Sequence, residues 1–261
     1  MSQPGQTIDP DSLWRMLGQA TADLENGAPG LVTRVVPGAW AVLCDVDIWE
    51  ANWVACHAVE PGTLDALRLL LDDVEATGRT TSFVVRTSVR DRVVPLFDGR
   101  PSRFHGNPPL MWRGNQPFAR NPRPYPGIVR RVAMGEDLRI VTSVIARAFE
   151  ADPARIWDTL YGMLDSPAMR CHVAESDGLD SICLTWRSDA IVYISMLATD
   201  PDRQRRGAGR EVLVRAMTDH AREGAIGFYL LASDDGQPLY NALGFETFER
   251  PEFWTINPEP D

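Results

Sequence analysis

The stretch "AIVYISMLATDPDRQRRGAGREVLVRAM", residues 190–217, decides the fold. It begins with an uninterrupted β-prone run over 190–198, which is typical of a strand covered on both faces. Gly207 and Gly209 follow, and then apolar residues recur at helical spacing. A second β-prone run, "AIGFYLLA" at 225–232, comes after the helix. Strand, glycine-rich loop, helix and strand form a βαβ unit, which makes the two strands parallel.

The link between this strand and this helix combines backbone freedom with positive charge. Gly207 and Gly209 let the chain turn tightly and approach a ligand. The first amides of the following helix have no intrahelical partner, and such amides form a cradle suited to a diphosphate. Four arginines add charge around it: Arg203, Arg205, Arg206 and Arg210. On spacing alone the alternative is a tight turn with solvated arginines, and the dinucleotide fingerprint fits poorly because Val212 occupies its third glycine position.

Composition limits the class of protein. The chain has 261 residues, 44% of them apolar and 24% charged, which is typical of a globular protein with room for two domains. No run approaches the roughly 18 apolar residues of a membrane span, so we expect no membrane partner. All 26 basic residues are arginine, which excludes a Walker A site because that site needs a lysine. The net charge of −10 argues against a nucleic-acid partner and favours cationic substrates.

The cysteines and histidines predict neither a disulfide nor a metal site. The four cysteines, Cys44, Cys56, Cys171 and Cys183, form no CxxC pair. Two of them precede a histidine, but adjacent residues on a strand face opposite sides and do not share a ligand. The first residues, "MSQPGQTIDPDSLW", have no basic region followed by an apolar one and predict no secretory signal. We therefore expect reduced, buried thiols and a cytoplasmic protein.

Periodic patterns extend through both halves of the chain. Residues 136–149 predict a helix, and "RCHVAES" with "SICLTWRS" predict a hairpin that turns at Asp177-Gly178. The N-terminal half repeats the order of elements more weakly, with strands at 39–48 and 52–59, a helix at 63–78 and a strand at 80–88. Its link, "EPG" at 60–62, has neither arginines nor a Gly-x-Gly pattern. This indicates an internal duplication in which one copy has lost its loop.

Residues 100–127 are rich in proline, glycine and arginine. Proline removes a backbone donor and restricts the residue before it, so this segment predicts a linker. We place the domain boundary near Arg120. The predicted domains are 1–122, without a diphosphate loop, and 123–261.

Two motifs in this order resemble the GCN5-related N-acetyltransferases (GNAT). The family's acyl-CoA loop follows Gln/Arg-x-x-Gly-x-Gly/Ala, which is matched by Gln204, Gly207 and Gly209 in "QRRGAG". The segment "GQPLYNALGFE", 236–246, resembles the family's late "LYxxLGF" element, whose tyrosine near the CoA sulfur is matched by Tyr240. The resemblance covers roughly the C-terminal half well and the N-terminal half by topology only.

The resemblance implies an α+β fold of two GNAT-like domains, each a mixed, mostly antiparallel sheet flanked by helices. The C-terminal domain would bind acetyl-CoA as cosubstrate, and the N-terminal domain would be a degenerate copy. Such a chain is expected to be a monomer that forms an internal pseudo-dimer. The resemblance implies that acetyl-CoA contacts the end of the strand, the loop and a serine after the next strand: Leu197, Ala198, Thr199, Gln204, Arg205, Arg206, Gly207, Ala208, Gly209, Arg210 and Ser233.

The implied reaction is direct attack by an amine on the acetyl thioester. Tyr240 is the implied catalytic residue, because its hydroxyl can protonate or hydrogen-bond the leaving thiolate. The alternative is a core tyrosine whose hydroxyl is tied to a carbonyl. The strand at 190–199 has no carboxylate to act as general base. Asp234, Asp235 and Glu175 are the candidates, each with the alternative of a solvated surface charge, and a water relay is our preferred route.

The leading hypothesis is therefore an N-acetyltransferase that acts on a primary amine. The acceptor stays open among an antibiotic, an amino acid, a polyamine and a protein terminus. One rival is an acyl-CoA-binding regulatory protein that has lost catalysis, which the missing base favours. The other is a fold without CoA whose loop only caps a helix.

Overall fold

The computed structural model divides the chain into two compact units. The N-terminal unit comprises Ile8–Leu110, Ala232–Asp234 and Thr247–Asp261, and the C-terminal unit is built mainly from Met111–Leu231 and Asp235–Glu246. The residues that the structure describes are 8–24, 32–44, 52–119, 121, 124–132, 139–154, 156–157, 166 and 168–258.

The secondary structure alternates short strands with a few longer helices. Up to the middle of the chain the elements are α1 (Pro10–Leu24), β1 (Val32–Val36), β2 (Ala39–Leu43), β3 (Trp53–Cys56), α2 (Thr63–Thr77), β4 (Thr81–Val85), α3 (Arg90–Val93), β5 (Ser102–Gly106) and β6 (Leu110–Gly114). The later elements are β7 (Ile128–Arg131), α4 (Arg139–Phe149), β8 (Met169–Glu175), β9 (Leu179–Ser188), β10 (Ile191–Thr199), α5 (Ala208–Arg222), β11 (Gly227–Leu231), α6 (Gln237–Ala242), β12 (Glu246–Glu249) and β13 (Glu252–Ile256).

The strands form two mixed sheets in which antiparallel pairs predominate. The first has the order β1-β2-β3-β4-β13-β5, with β3 and β4 parallel. The second has the order β12-β6-β11-β10-β9-β8-β7, with β10 and β11 parallel. Both parallel pairs are the ones that the βαβ patterns predicted. The hairpin predicted at Asp177-Gly178 is confirmed as β8 and β9.

In the N-terminal unit, α2 covers the first sheet. Its buried face carries Leu67, Leu70, Leu71 and Val74, which lie in one apolar cluster with strand residues such as Phe83. These positions recur at spacings of three and four, so one helical stripe is removed from water. The predicted strand at 39–48 ends at Leu43, and its residues 45–48 lie outside the described part of the chain.

In the C-terminal unit, α5 packs against β8 and β9, and α4 packs against β9 and β10. The α5 stripe of Val212, Leu213, Ala216 and Met217 is fully buried, as its spacing predicted. Helix α4 is described from Arg139 to Phe149, and residues 136–138 of the predicted helix lie outside the described part of the chain. Among the described residues, no helix is long and apolar enough to span a bilayer.

The segment 100–127, predicted as a linker, contains β5 and β6. Its prolines at 101, 108 and 109 lie outside both strands, where a missing amide removes no ladder hydrogen bond. The linker prediction was wrong for these two strands, because proline content marks the ends of short strands as well as loops.

The division into units also differs from the predicted boundary at residue 122. The units divide after Leu110, and the last strand, β13, belongs to the N-terminal unit. There it pairs with β4 and β5. The ring of Trp254 on β13 lies 5.4 Å from that of Phe97 and 5.0 Å from that of Phe104. Pairing between strands so far apart in sequence leaves no local signal.

Candidate functional site

The parallel strands β10 and β11 separate partway along their length. They pair only from Ile191–Gly227 to Tyr193–Tyr229. On its other edge β10 follows β9 as far as Thr199, with a bulge between Ile194 and Met196. In the described part of the chain, no strand therefore pairs with the β11-facing edge of β10 beyond Tyr193. Backbone groups left open along a strand edge accept an extended ligand in the manner of an added strand.

The end of this strand meets the start of α5. Leu197, Ala198 and Thr199 are the last residues of β10. A Cβ added at Gly209 would lie 3.0 Å from Thr199 Oγ1, so the helix start packs closely on the strand. The structure thus brings together the two parts of the predicted acyl-CoA site, the strand end and the loop from Gln204 to Arg210.

The first turn of α5 presents free backbone donors. Gly207 has φ of 89° and an added Cβ would meet nothing within 4 Å, so glycine is needed here for conformation and not for space. The Glu211 amide donates to Gly207 O at 3.1 Å. Within the described residues, the amides of Ala208, Gly209 and Arg210 donate to no protein acceptor. Three outward amides at a helix start are the arrangement that binds phosphate.

The loop arginines do not all serve that anion site. Arg203 was expected to add charge around the loop, but its guanidinium contacts Asp177 and, at 2.6 Å, Asp180. That expectation was wrong because two carboxylates hold Arg203 in place. Arg210 Nη1 lies 2.8 Å from Glu211 Oε1, which partly neutralises it.

Arg205 and Arg206 remain more available to a ligand. Arg205 is exposed, has φ of 61° and makes no ion pair within the described residues. The left-handed region is uncommon for a residue with a Cβ, so this conformation indicates a loop shape imposed by its surroundings. Arg206 is exposed, and its Nη2 donates to Asp202 O at 3.4 Å, and Gln204 is exposed beside them.

Tyr240 lies on α6 and is buried, with 8% of its surface exposed. Its ring packs edge-on against Phe245 at 5.7 Å between centroids. Burial, with smaller effects from Cys183 and Tyr193, raises the pKa of the Tyr240 hydroxyl, which is therefore neutral at ordinary pH. Among the described residues this hydroxyl has no hydrogen-bond partner. The alternative of a hydroxyl tied to a carbonyl therefore finds no such carbonyl within the described residues.

Arg113, which the sequence did not single out, holds the turn after the Tyr240 helix. It is 5% exposed, and its Nε donates to Leu243 O at 2.7 Å. Its guanidinium also lies 4.0 Å from the ring centre of Phe118. Burial lowers the pKa of Arg113, and no carboxylate pairs with it in the described chain. The sequence signal that could have identified this buried residue is an arginine inside the apolar run "PLMWRGN".

The structure identifies no general base. Arg130 binds Glu175 in a bidentate pair, with Nε to Oε2 at 2.9 Å and Nη2 to Oε1 at 3.1 Å. Asp234 and Asp235 are exposed on the turn after β11. Ser233, the predicted CoA contact, is also exposed there and belongs to the N-terminal unit. Asp234 and Asp235 thus have the surface environment that the sequence offered as their alternative, whereas Glu175 is half-buried in an ion pair.

The Cys-His pairs form no ligand cluster. Cys171 and His172 are adjacent on β8 and both are buried. His172 Nε2 lies 3.2 Å from Asp219 Oδ2 on α5, and burial is the main cause that lowers the pKa of His172 to about 4. Within the described residues, no group of three metal-binding side chains is found.

Comparison with known proteins agrees with this geometry. Residues 167–247 match the family model described as an acetyltransferase (GNAT) domain. The structure is similar to a GCN5-related N-acetyltransferase from Kribbella flavida, with a TM-score of 0.69 and 18% identity over 94% of this chain and 95% of that chain. It is also similar to one from Sphaerobacter thermophilus, with a TM-score of 0.60 and 15% identity over 84% and 76% of the two chains.

A third similar structure is described as a tandem GNAT protein from the clavulanic acid biosynthesis pathway. Its TM-score is 0.54 at 12% identity, and the match covers 98% of both chains. No curated protein sequence matches this chain. At these identities the similarity establishes the fold, and it confirms the predicted α+β class of two GNAT-like domains, each a mixed sheet flanked by helices.

Proposed function

We propose that the chain transfers an acetyl group from acetyl-CoA to a primary amine, since residues 167–247 match the family model of a GNAT acetyltransferase domain. The separation of β10 and β11 beside a helix start with free amides carries this proposal. The open strand edge suits the amide groups of a pantetheine arm, and the helix start suits a diphosphate. Acetyl-CoA contains these two features joined in one molecule.

The proposed cofactor contacts follow this division. The backbone of Leu197, Ala198 and Thr199 pairs with the pantetheine arm. The amides from Gln204 to Arg210 surround the diphosphate, and the side chains of Arg205 and Arg206 add charge. The helix-end contribution is about 0.3–2 kcal/mol per charge, so several amides must act together. Ser233 is retained as an outer contact.

In the proposed reaction, the amine nitrogen attacks the thioester carbonyl carbon and the C–S bond then breaks. The electron pair of that bond passes to sulfur, and the thiolate needs a proton or a hydrogen bond. Tyr240 supplies this group. Its raised pKa makes it a weak acid but a stable hydrogen-bond donor, so we assign it the stabilisation of the thiolate ahead of complete proton transfer. The proton of the amine leaves through water.

The second candidate function is an acyl-CoA-binding regulatory protein without catalysis. The carboxylate environments favour it, because Glu175 is paired and Asp234 and Asp235 are exposed. In either function we propose a monomeric, cytoplasmic protein, with an N-terminal domain that has no diphosphate site. Both functions require acetyl-CoA binding, and turnover separates them.

One experiment in two stages tests the proposal. Acetyl-CoA should raise the melting temperature, since a ligand that binds only the folded state stabilises it by about 2.7 kcal/mol at 100 times its Kd. A thiol reagent should then detect free CoA when aminoglycosides, amino acids, polyamines and peptides with free N-termini are supplied in turn. Binding without CoA release from any acceptor supports the regulatory alternative, and the absence of binding contradicts both.

A further inference from the structure

Asp180 at the start of β9 is a fully buried carboxylate that accepts hydrogen bonds from three side chains. Its Oδ1 contacts Arg203 Nη1 at 2.6 Å. Its Oδ2 accepts hydrogen bonds from Tyr125 and, at 2.7 Å, from Ser176. Burial alone would raise the pKa of Asp180, but these three hydrogen bonds outweigh it and hold the pKa below its ordinary value. The carboxylate is therefore ionised and fixed in place.

The backbone of Asp180 holds the same turn as its side chain does. The Asp200 amide donates to Asp180 O at 2.9 Å, and the Arg203 amide donates to Asp200 O at 2.8 Å. The turn from 200 to 203 is thus attached to β9 at both of its ends. Arg147 of α4 adds a third attachment through Asp200 Oδ2 at 2.6 Å.

Asp180 lies at the entry to the loop that leads into α5. Gln204 follows Arg203 directly, and the left-handed residues Arg205 and Gly207 come next. The exit of the loop is fixed separately, where Gly209 packs on Thr199. Between these two attachments lie five residues, 204–208, whose conformation sets the direction of the loop amides.

We infer that Asp180 is a positioning residue for the diphosphate loop, which it holds by binding the side chain of Arg203. This inference rests on the proposed acetyl-CoA site. Asp180 does not touch the ligand, and Arg203 acts on the loop through Asp180 instead of pairing with a phosphate. The preorganised loop then meets the diphosphate with its amides already aimed, which reduces the ordering entropy of binding.

For the substitution Asp180→Asn, simple electrostatics and the positioning role predict opposite changes in the affinity for acetyl-CoA. A carboxylate near a polyanion site repels the ligand, so electrostatics predicts that Asp180→Asn strengthens acetyl-CoA binding. It would also release Arg203 to contact a phosphate. Positioning predicts the reverse, because the amide side chain no longer fixes the charged guanidinium and the loop entry loosens.

The test compares acetyl-CoA binding to the wild-type chain and to Asp180→Asn by calorimetry. We expect the Kd to rise about tenfold, the low end of the effect of removing an outer-shell partner at a metal site. S-acetyl-pantetheine, which lacks the diphosphate, should show the same kcat/KM with both proteins. A general loss of structure would reduce the use of both donors.

Two further variants keep the test decisive. Glu223→Gln is the control, because it removes one carboxylate from the same unit but one that pairs with Arg170. It should leave the Kd within about twofold. If Asp180→Asn does not fold, Asp177→Asn removes the second, 79% exposed partner of Arg203 and should weaken binding in the same direction.

The outcomes separate this inference from the proposed function. If the wild-type chain does not bind acetyl-CoA, the proposed acetyl-CoA site itself is wrong. A wild-type chain that binds, with Asp180→Asn or Asp177→Asn binding equally or more tightly, would overturn the positioning role and leave the proposed function intact.

Discussion

The two βαβ segments of the chain, β3–α2–β4 and β10–α5–β11, share a plan but differ in how long their parallel strands stay paired. All four residues of β3 pair with β4, and the Arg86 amide extends the ladder by donating to Cys56 O at 2.9 Å. The β10–β11 pairing stops at Tyr193, although β10 continues to Thr199. Within the described residues of the two segments, a strand edge is available to a ligand in the second alone.

The helix starts show the same contrast. Gly62 and Gly207 precede α2 and α5 with φ of 86° and 89°, and an added Cβ meets nothing within 4 Å at either. In α2, however, the buried Thr63 closes the turn, because its amide donates to Glu60 O at 3.1 Å and its Oγ1 to Pro37 O at 2.5 Å. The left-handed glycine is thus part of the fold. The difference lies in the separated strands and in the amide of Ala208, which has no acceptor within the described residues, whereas the amide of Thr63 at the same position in α2 has one.

The largest effect that would sharpen this contrast is expected from Tyr240→Phe. The chain has five tyrosines, and all of them follow residue 124, so the N-terminal segment has no counterpart. Removing the hydroxyl should lower turnover by about 10²- to 10⁴-fold, the usual contribution of a positioned acid or donor. Steady-state kinetics with any good acceptor measures it.

The melting temperature of the same preparation is the control for Tyr240→Phe. Because the hydroxyl has no protein partner in the described chain, the midpoint and the Kd for acetyl-CoA should change little. Normal turnover would remove Tyr240 from the catalytic role. A midpoint lowered by the equivalent of about 1 kcal/mol with normal turnover would indicate a structural hydroxyl instead.

A second, smaller effect is expected from a matched pair of substitutions, Gly207→Trp and Gly62→Trp. Both glycines have positive φ, so both substitutions strain the backbone alike. Only the indole at 207 would occupy a diphosphate site. Calorimetry should count one acetyl-CoA per wild-type chain, and Gly207→Trp should weaken it by about 100-fold or more, which is about 2.7 kcal/mol.

Gly62→Trp should keep that site and its affinity. Two equivalent sites in the wild-type chain would show that the N-terminal segment is not degenerate. Loss of binding in both folded variants would show that backbone strain is responsible, and the contrast between the two helix starts would then carry no functional meaning.

Local pattern predicted much of the C-terminal unit from sequence. The apolar run of β10, the Gly-x-Gly link and the buried stripe of α5 are each encoded within a few residues. Such elements can be recognised from the spacing of apolar residues, because the buried face of a helix or strand repeats with the period of that element. The loop from Gln204 to Arg210 could therefore be located, and the strand before it and the helix after it were confirmed.

Non-local contacts could not be predicted in the same way. The pairing of β13 with β4 joins segments about 170 positions apart, and the Asp180–Arg203 contact joins a hairpin to a loop. Arg203 was expected to add charge around the loop, as were the other arginines of the same segment. Its actual partners depend on where β9 begins beside the turn at 200–203, which local spacing does not indicate.

The smallest expected effect concerns how the melting temperature depends on pH. It compares a histidine from each of the two units. His172 is fully buried against Asp219, whereas His57 is partly buried and stacks on Trp14 with centroids 6.4 Å apart. Burial is the main cause that lowers both pKa values, to about 4 for His172. Burial also lowers the pKa of His220, a neighbour of His172, to about 3.

His172→Gln should make the melting temperature less dependent on pH between about 6.5 and 4. In this window the unfolded chain protonates its histidines and the folded chain does not, so stability is full above the unfolded pKa of about 6.5 and falls as pH decreases, until it levels off near the folded pKa. From pH 6.5 to 5.5 the wild type should lose about 1 kcal/mol through His172, or about 2–4 °C. Carboxylates with lowered pKa values, such as Asp180 and Asp219, reduce the stability only below about pH 4.

The substitution to glutamine keeps a hydrogen-bond donor for Asp219 and removes the titration. The control is His57→Gln, from the less buried site, which should change the pH dependence of the melting temperature less. Equal slopes for the wild type and His172→Gln would mean that His172 is protonated in the folded protein and that the two units do not differ in this respect.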